Sequence, residues 1–269
     1  MKILITAILL QISFQLNSLS DSLERDNIIV TYITTFKKYK SRPNLTETLM
    51  KLYITDTTSI FIDSDLENIF KLDASDIDDL TGSQIKKAKD RISSIKYFIQ
   101  KFHNKEYMTL SQEVSRKQFA GYRQEMMLPD IWHIRRDTAT IAGLKSLKAE
   151  CKYGGREWTA WFSPEVPISD GPSKFSGLPG LIVKLESADG DYQFILNGLE
   201  RLKNRAPKLP DTQIVERDKF KNLRLAYYEN LIPPNSKVNL TIEGKLYNRE
   251  ETIEYLKRGE LDNNLLELE

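Results

Sequence analysis

Gly154-Gly155-Arg156-Glu157-Trp158-Thr159-Ala160-Trp161-Phe162, with Ser146 to Tyr153 ahead of it, decides the fold class. The paired glycines supply the positive φ that a two-residue turn demands, so the two arms read as a β-hairpin. In the second arm Arg156, Trp158, Ala160 and Phe162 share one face, and Glu157, Thr159 and Trp161 share the other. A tryptophan on each face predicts a strand covered on both sides and central in its sheet. A second hairpin follows: Leu181, Val183 and Leu185 alternate along one arm, and Tyr192, Phe194 and Leu196 along the other. Between them, Asp189-Gly190 are two residues that both tolerate positive φ.

The β pattern extends outward. Ile28 to Lys40, Leu49 to Thr55 and Ser59 to Ile62 read as strands, as do the runs between Ser111 and Leu199. One stretch has a different period. Ile85, Ala88, Ile92, Ile95, Ile99 and Phe102 recur at helical spacing, with Lys86, Lys87, Lys89, Asp90 and Arg91 opposite, which predicts an amphipathic helix near 84–103. The expected fold is α+β and predominantly antiparallel: a curved meander sheet with at least one amphipathic helix packed on it. It forms a single domain over 21–269. Beyond about 203 the prolines at 207, 210, 233 and 234 and an acidic, helix-prone end predict a peripheral tail.

Lys2 followed by an apolar run from Ile3 to Ile12 predicts an export signal over 1–20, too short to span a bilayer, and no later run reaches membrane length. With 39 Lys+Arg against 38 Asp+Glu, net charge favours neither nucleic acid nor an anionic membrane surface as partner. Cys151 is the single cysteine, which excludes an internal disulfide and a multi-cysteine zinc site. It alternates with Ala149 and Tyr153 and reads as a small buried hydrophobe. Asp73, Asp76, Asp78 and Asp79 cluster without the glycine and closing glutamate of a calcium loop, so they read as a solvated loop. His103 and His133 lie in no metal-ligand or nucleophile-base spacing, and no G-x-S-x-G, phosphate-cradling glycine loop or H-E-x-x-H is present. No metal and no cofactor are expected.

Ser163-Pro164-Glu165-Val166-Pro167-Ile168 joins the hairpins to Gly171-Pro172, Phe175 and Gly177-Leu178-Pro179-Gly180-Leu181-Ile182. With Gly155 and the tryptophan strand, these elements resemble the GLPGLI family of Bacteroidetes-type envelope proteins. That family's signature joins a GR-x-W-x-AW strand, a P-x-x-P segment, GP-x-x-F and the hexapeptide. The match covers Gly155 to Ile182, with Ile131 to Glu150 as the usual lead-in. Related sequences often place a cysteine after the glycine of the I-x-G turn. Here Gly143 is followed by Leu144, Lys145, Ser146 and Leu147, and no role passes to Cys151. The resemblance implies export, a β-rich fold, unknown function and an association with outer-membrane receptor systems.

Physically the signature reads first as architecture. Gly177 and Gly180 permit backbone angles closed to other residues, and Pro179 fixes φ. Read as a site, it offers Arg156, Trp158 and Trp161 on the strand and Glu165 and Asp170 in the loop, since arginine beside aromatics binds carboxylates or stacks on rings. The more economical expectation is that Arg156 pairs with Glu165 or Asp170 and pins the loop. Three functions follow: a non-catalytic periplasmic binding or carrier protein for an apolar or peptide ligand, an accessory subunit of an outer-membrane receptor, or a carboxylate-dependent hydrolase.

Overall fold

Two meanders meet at the N-terminal strand. β1 (Ile28–Lys37), β2 (Leu45–Ile54), β3 (Thr58–Asp63), β4 (Tyr97–Phe102), β5 (Tyr107–Ser115) and β6 (Gln118–Glu125) pair in sequence, each antiparallel to the last. So do β7 (His133–Ile141), β8 (Leu144–Tyr153), β9 (Arg156–Ser163), β10 (Leu181–Ser187) and β11 (Tyr192–Arg201). β1 then pairs antiparallel with β11 and fuses the halves. A short strand, β12 (Thr212–Ile214), adds parallel to β6, giving twelve strands in the order β12-β6-β5-β4-β3-β2-β1-β11-β10-β9-β8-β7. The computed structural model describes residues 27–37, 44–70, 97–115, 118–127, 129–201, 206–231, 240–242, 245–248, 250–251 and 253–254. The predicted leader and residues 84–96 of the predicted helix lie outside them.

The sheet has to roll up. Ten strand spacings separate β6 from β7, about 48 Å if the sheet were flat. Yet Glu125 and His133 are eight residues apart, a reach of at most about 28 Å. Across the gap Gln124 of β6 hydrogen-bonds Tyr153 of β8. The sheet is thus a rolled, unclosed one, with its two ends drawn together.

Inside the roll lie Val30, Tyr32, Leu52, Phe61, Ile99, Trp158, Phe162 and Phe194, all buried. Outside it, Tyr53, Ile60, Ile62 and Phe98 pack with Leu66 and Phe70 of a short helix, α1 (Ser64–Phe70). A longer helix, α2 (Arg217–Leu231), sets Phe220 against Ala120 and Tyr122. Part of the predicted tail is therefore built into the β6 end of the sheet. Leu240–Ile242 and Lys245–Tyr247, β13 and β14, pair with each other in a separate two-stranded sheet.

Both predicted hairpins are present. Gly154 and Gly155 have φ of 58° and 75°, the primed turn that the sequence predicts. The second turn differs. It spans 188–191, and of its Asp-Gly pair only Gly190 has positive φ, 72°. The Asp189 carboxylate instead accepts the Ser187 hydroxyl at 2.5 Å and the Asp191 N–H at 3.1 Å, a side-chain turn that competes with the two-residue form. β9 lies third from the β7 end, with Trp158 buried and Trp161 half-buried. The helical expectation fails at 97–102, where Tyr-Phe-Ile-Gln-Lys-Phe is β4. Ile99 and Phe102 match a helical stripe, but this strand is buried on both faces, and periodicity cannot separate such a run from a helix.

Gly180, at φ 151°, opens the way into β10. A Cβ there would sit 2.3 Å from the Ser163 carbonyl oxygen, whereas one on Gly190 would meet nothing within 4 Å. Gly190→Ala should cost about 1–2 kcal/mol, the left-handed penalty alone. Gly180→Ala should cost upward of about 3 kcal/mol, because backbone must move. Urea melts of the two variants measure the difference.

Candidate functional site

The segment between β9 and β10 turns inward rather than looping over the surface. Short backbone bonds fold it on itself: Ile168 N–H to Val166 O (2.7 Å), Asp170 N–H to Ile168 O (2.8 Å) and Phe175 N–H to Pro172 O (3.1 Å). Leu181 N–H to Val166 O and Ile182 N–H to Asp170 O, both 3.0 Å, then tie it to the start of β10. Lys101 of β4 holds it from the opposite wall. Its ammonium is wholly buried and donates to Asp170 Oδ1 at 2.5 Å, Gly171 O at 2.8 Å and Phe175 O at 2.9 Å. Burial lowers the Lys101 pKa, and the Asp170 charge opposes that shift. His103 Nε2 lies 3.6 Å from Asp170 Oδ2; desolvation lowers its pKa as well, against the pull of Asp170 and with the push of Lys101.

Phe175 is fully buried, with ring centroids of Trp158, Tyr153 and Trp132 at 4.6, 5.4 and 6.2 Å. Trp132 Nε1 donates to Ser176 O at 2.9 Å, so the ring that packs on Phe175 also anchors its loop. Gly171 has no room for a side chain, since a Cβ would meet Ile182 at 2.7 Å. The motif Gly171-Pro172, Phe175, Gly177, Leu178, Pro179, Gly180, Leu181, Ile182 thus describes an internal plug and its hinge into β10. Leu178, Leu181 and Ile182 are buried in the same core.

Arg156 does not pair with Glu165 or Asp170. It stands at the Gly-Gly end of β9, about 24 Å along the strand from Ser163, beyond which both acids lie. Antiparallel pairing sets Trp158 opposite Ser187, so the β10–β11 turn is the near neighbour. Arg156 bonds Asp189 there, reaches Asp191 at 3.2 Å and covers the Tyr192 ring at 5.4 Å. Trp158 spends its N–H on Tyr153 O at 3.1 Å. Glu165 accepts the Lys145 N–H at 3.2 Å on the exposed side, and Asp170 is sealed within the plug. Of the five predicted residues, Arg156 and Trp158 share a neighbour, each lying against the Tyr192 ring. Lys101, a lysine among aromatics, was not singled out by the sequence reading, although it keeps step with Tyr97 and Ile99.

No reactive thiol is available, because burial pushes Cys151 up to about 12. Among the described residues no three His, Cys, Asp or Glu gather as a metal site, and no helix is long and apolar enough to cross a membrane. A concavity opens at the seam, where the rolled sheet stays unclosed. A half-open cavity of about 550 Å³ is lined there by Gln124 of β6, by Lys152 to Glu157 around the Gly-Gly turn, and by Arg217 of α2.

Residues 93–184, about a third of the chain, match a family described as "Protein of unknown function (Porph_ging)". The match takes in β4, the plug and the start of β10. No curated protein matches. The fold is similar to that of PNGF-II, solved in two crystal forms, each at a TM-score of 0.56 and 10% identity. The likeness covers 76% of this chain and 34% of PNGF-II in the first form, so the chain spans about a third of that protein. It is a likeness of fold alone. Weaker matches are the LolA superfamily protein NE2245 from Nitrosomonas europaea (TM-score 0.28, 10% identity, 71% of this chain and 94% of that one) and an outer membrane lipoprotein-sorting protein domain from Vibrio parahaemolyticus (0.27, 8%, 78% and 97%).

Asp170→Asn should destabilise the fold by about 3–5 kcal/mol, because it leaves a buried ammonium without its counter-charge; a urea titration reads this directly. His103 gives a pH signature. Its folded pKa lies below the unfolded value of about 6.5, so the unfolded chain takes up the proton first. Stability should therefore fall as pH drops through about 6.5, levelling off below the folded pKa. In His103→Gln, melting temperatures from pH 7.5 to 5.5 should show a flatter profile.

Proposed function

We propose that this is an exported, GLPGLI-type binding protein of the cell envelope that works without catalysing a reaction and takes its ligand at the seam. One observation supports this above the rest: the chain's own plug fills the interior of the roll, with Phe175 wholly buried in its aromatic cage. A carrier holding an apolar chain inside the sheet would have to expel that plug and break three bonds to Lys101. A ligand with polar ends, such as a peptide, meets no such barrier at the seam. The carboxylate-hydrolase reading loses its pair, since Glu165 is surface-bound and Asp170 is sealed.

The accessory-subunit reading has one observation of its own. β7 is the outermost strand, exposed along most of its length, with Ile134 half exposed. A free strand edge of this kind accepts an added strand from a partner.

The test separates these readings. The wild-type protein should give no saturable fluorescence with the apolar probe N-phenyl-1-naphthylamine, and Phe175→Ala, which leaves a dry apolar hole, should gain it. Native mass spectra of protein taken from its own envelope should contain a small polar solute. Saturable probe binding by the wild type would return the ligand to the interior. A stoichiometric outer-membrane protein in place of any solute would favour the accessory role.

A further inference from the structure

The seam cavity is built of donors. Lys152, Arg156 and Arg217 stand on its wall against a single carboxylate, Glu157. Behind the wall Lys174, itself buried, donates to Gln124 Oε1 at 2.8 Å and to Tyr122 Oη at 2.9 Å. An ammonium can only donate, so this contact fixes which way the Gln124 amide faces. Its Nε2 must then point the other way, and it bonds Tyr153 Oη. Tyr153 accepts from Gln124, so its own hydroxyl hydrogen is directed away from that residue. The chain Lys174 → Gln124 → Tyr153 is polarised, with hydrogens leading out from a buried positive charge. Arg217 and Lys174 both lie against the ring of Tyr122, at 5.6 and 5.2 Å from its centroid.

We infer that the seam cavity binds a carboxylate on a small solute, of the size of a dipeptide or an acidic sugar. This inference rests on the binding reading above and assigns its ligand class. The volume of about 550 Å³ falls within the range of small-molecule sites and well above a single ion. Planar guanidinium groups match the geometry of a carboxylate. The charge is also modest. Asp189 and Asp191 hold Arg156 from behind, and Glu157 sits 3.1 Å from Lys152. Cations that already face carboxylates suit a monoanion better than the dianion of a phosphate monoester. The two sources of the carboxylate differ in what surrounds it, an amide backbone in one and ring hydroxyls in the other.

Calorimetric titration of the mature protein at low ionic strength tests this with matched pairs: Ala-Ala against Ala-Ala amide, glucuronate against glucose, and inorganic phosphate. The acid of at least one pair should bind at least tenfold more tightly than its neutral partner, and the pair that responds identifies the source. Arg217→Gln should remove at least tenfold of that affinity, with a circular-dichroism spectrum matching wild type to show that the fold is kept. Equal binding of acid and neutral partner, or tighter binding of phosphate, overturns the carboxylate assignment while the binding reading stands. Failure of the whole panel at millimolar concentration overturns the assignment too. The native mass spectrum of the envelope-derived protein then decides separately whether the binding reading falls with it.

Discussion

Lys101 is the point on which the interior turns. Burying an ammonium costs several kcal/mol, and the cost is recovered only if every donor finds an acceptor in good geometry. Three oxygens meet this demand, from Asp170, Gly171 and Phe175, all in one stretch of the plug. A plug shifted by one residue would lose them together. The pair therefore acts as a register device more than as a source of stability, the best-attested use of a buried ion pair. The rest follows from that registration. Asp170 also accepts the Gly171 N–H at 2.7 Å, and its backbone carbonyl accepts Ile182 N–H. This sets the entry to β10, while Phe175 is held among Trp132, Tyr153 and Trp158.

The need for a plug comes from strand number. A barrel of about eight strands is just filled by its own side chains, and wider ones enclose a lumen. Twelve strands rolled to a near-closed curve leave more interior than alternate side chains can occupy. A folded segment with a phenylalanine at its tip fills that volume at the density a protein interior requires. The prolines and glycines of the signature are explained at the same time: the segment must reverse within a confined space, and Gly171 and Gly180 stand where a Cβ would collide with Ile182 and with the backbone at Ser163.

How much of this was legible in the sequence depended on the range of the interaction. The hairpins were legible, because alternation and turn residues act over fewer than ten positions. So was the conformational sense of Gly177-Leu178-Pro179-Gly180. The partner of Arg156 was not. Its two candidates were close in sequence but lay past the far end of an extended strand, and its true partners, Asp189 and Asp191, became near only through β9–β10 pairing. β4 was misread because its residues are apolar on both faces, which suits either period. Lys101 gave no signal as a buried cation, since nothing local announces that a lysine will find three oxygens across the roll.

The seam is the remaining consequence of the roll. At one end of the sheet β12 contributes only three residues, and at the other β7 is the exposed outer strand, so the ladder does not close. What spans the gap is side-chain chemistry, Gln124 to Tyr153, with α2 alongside. The plug takes the apolar interior, and the concavity at the seam is walled by strand ends, a glycine turn and the first residue of a helix. Polar groups gather at such places, where backbone and long side chains meet water, and a site built there recognises charge and hydrogen bonding rather than apolar bulk. The same plug that fills a twelve-stranded roll thus takes up the apolar lumen, and the concavity at the seam is polar instead.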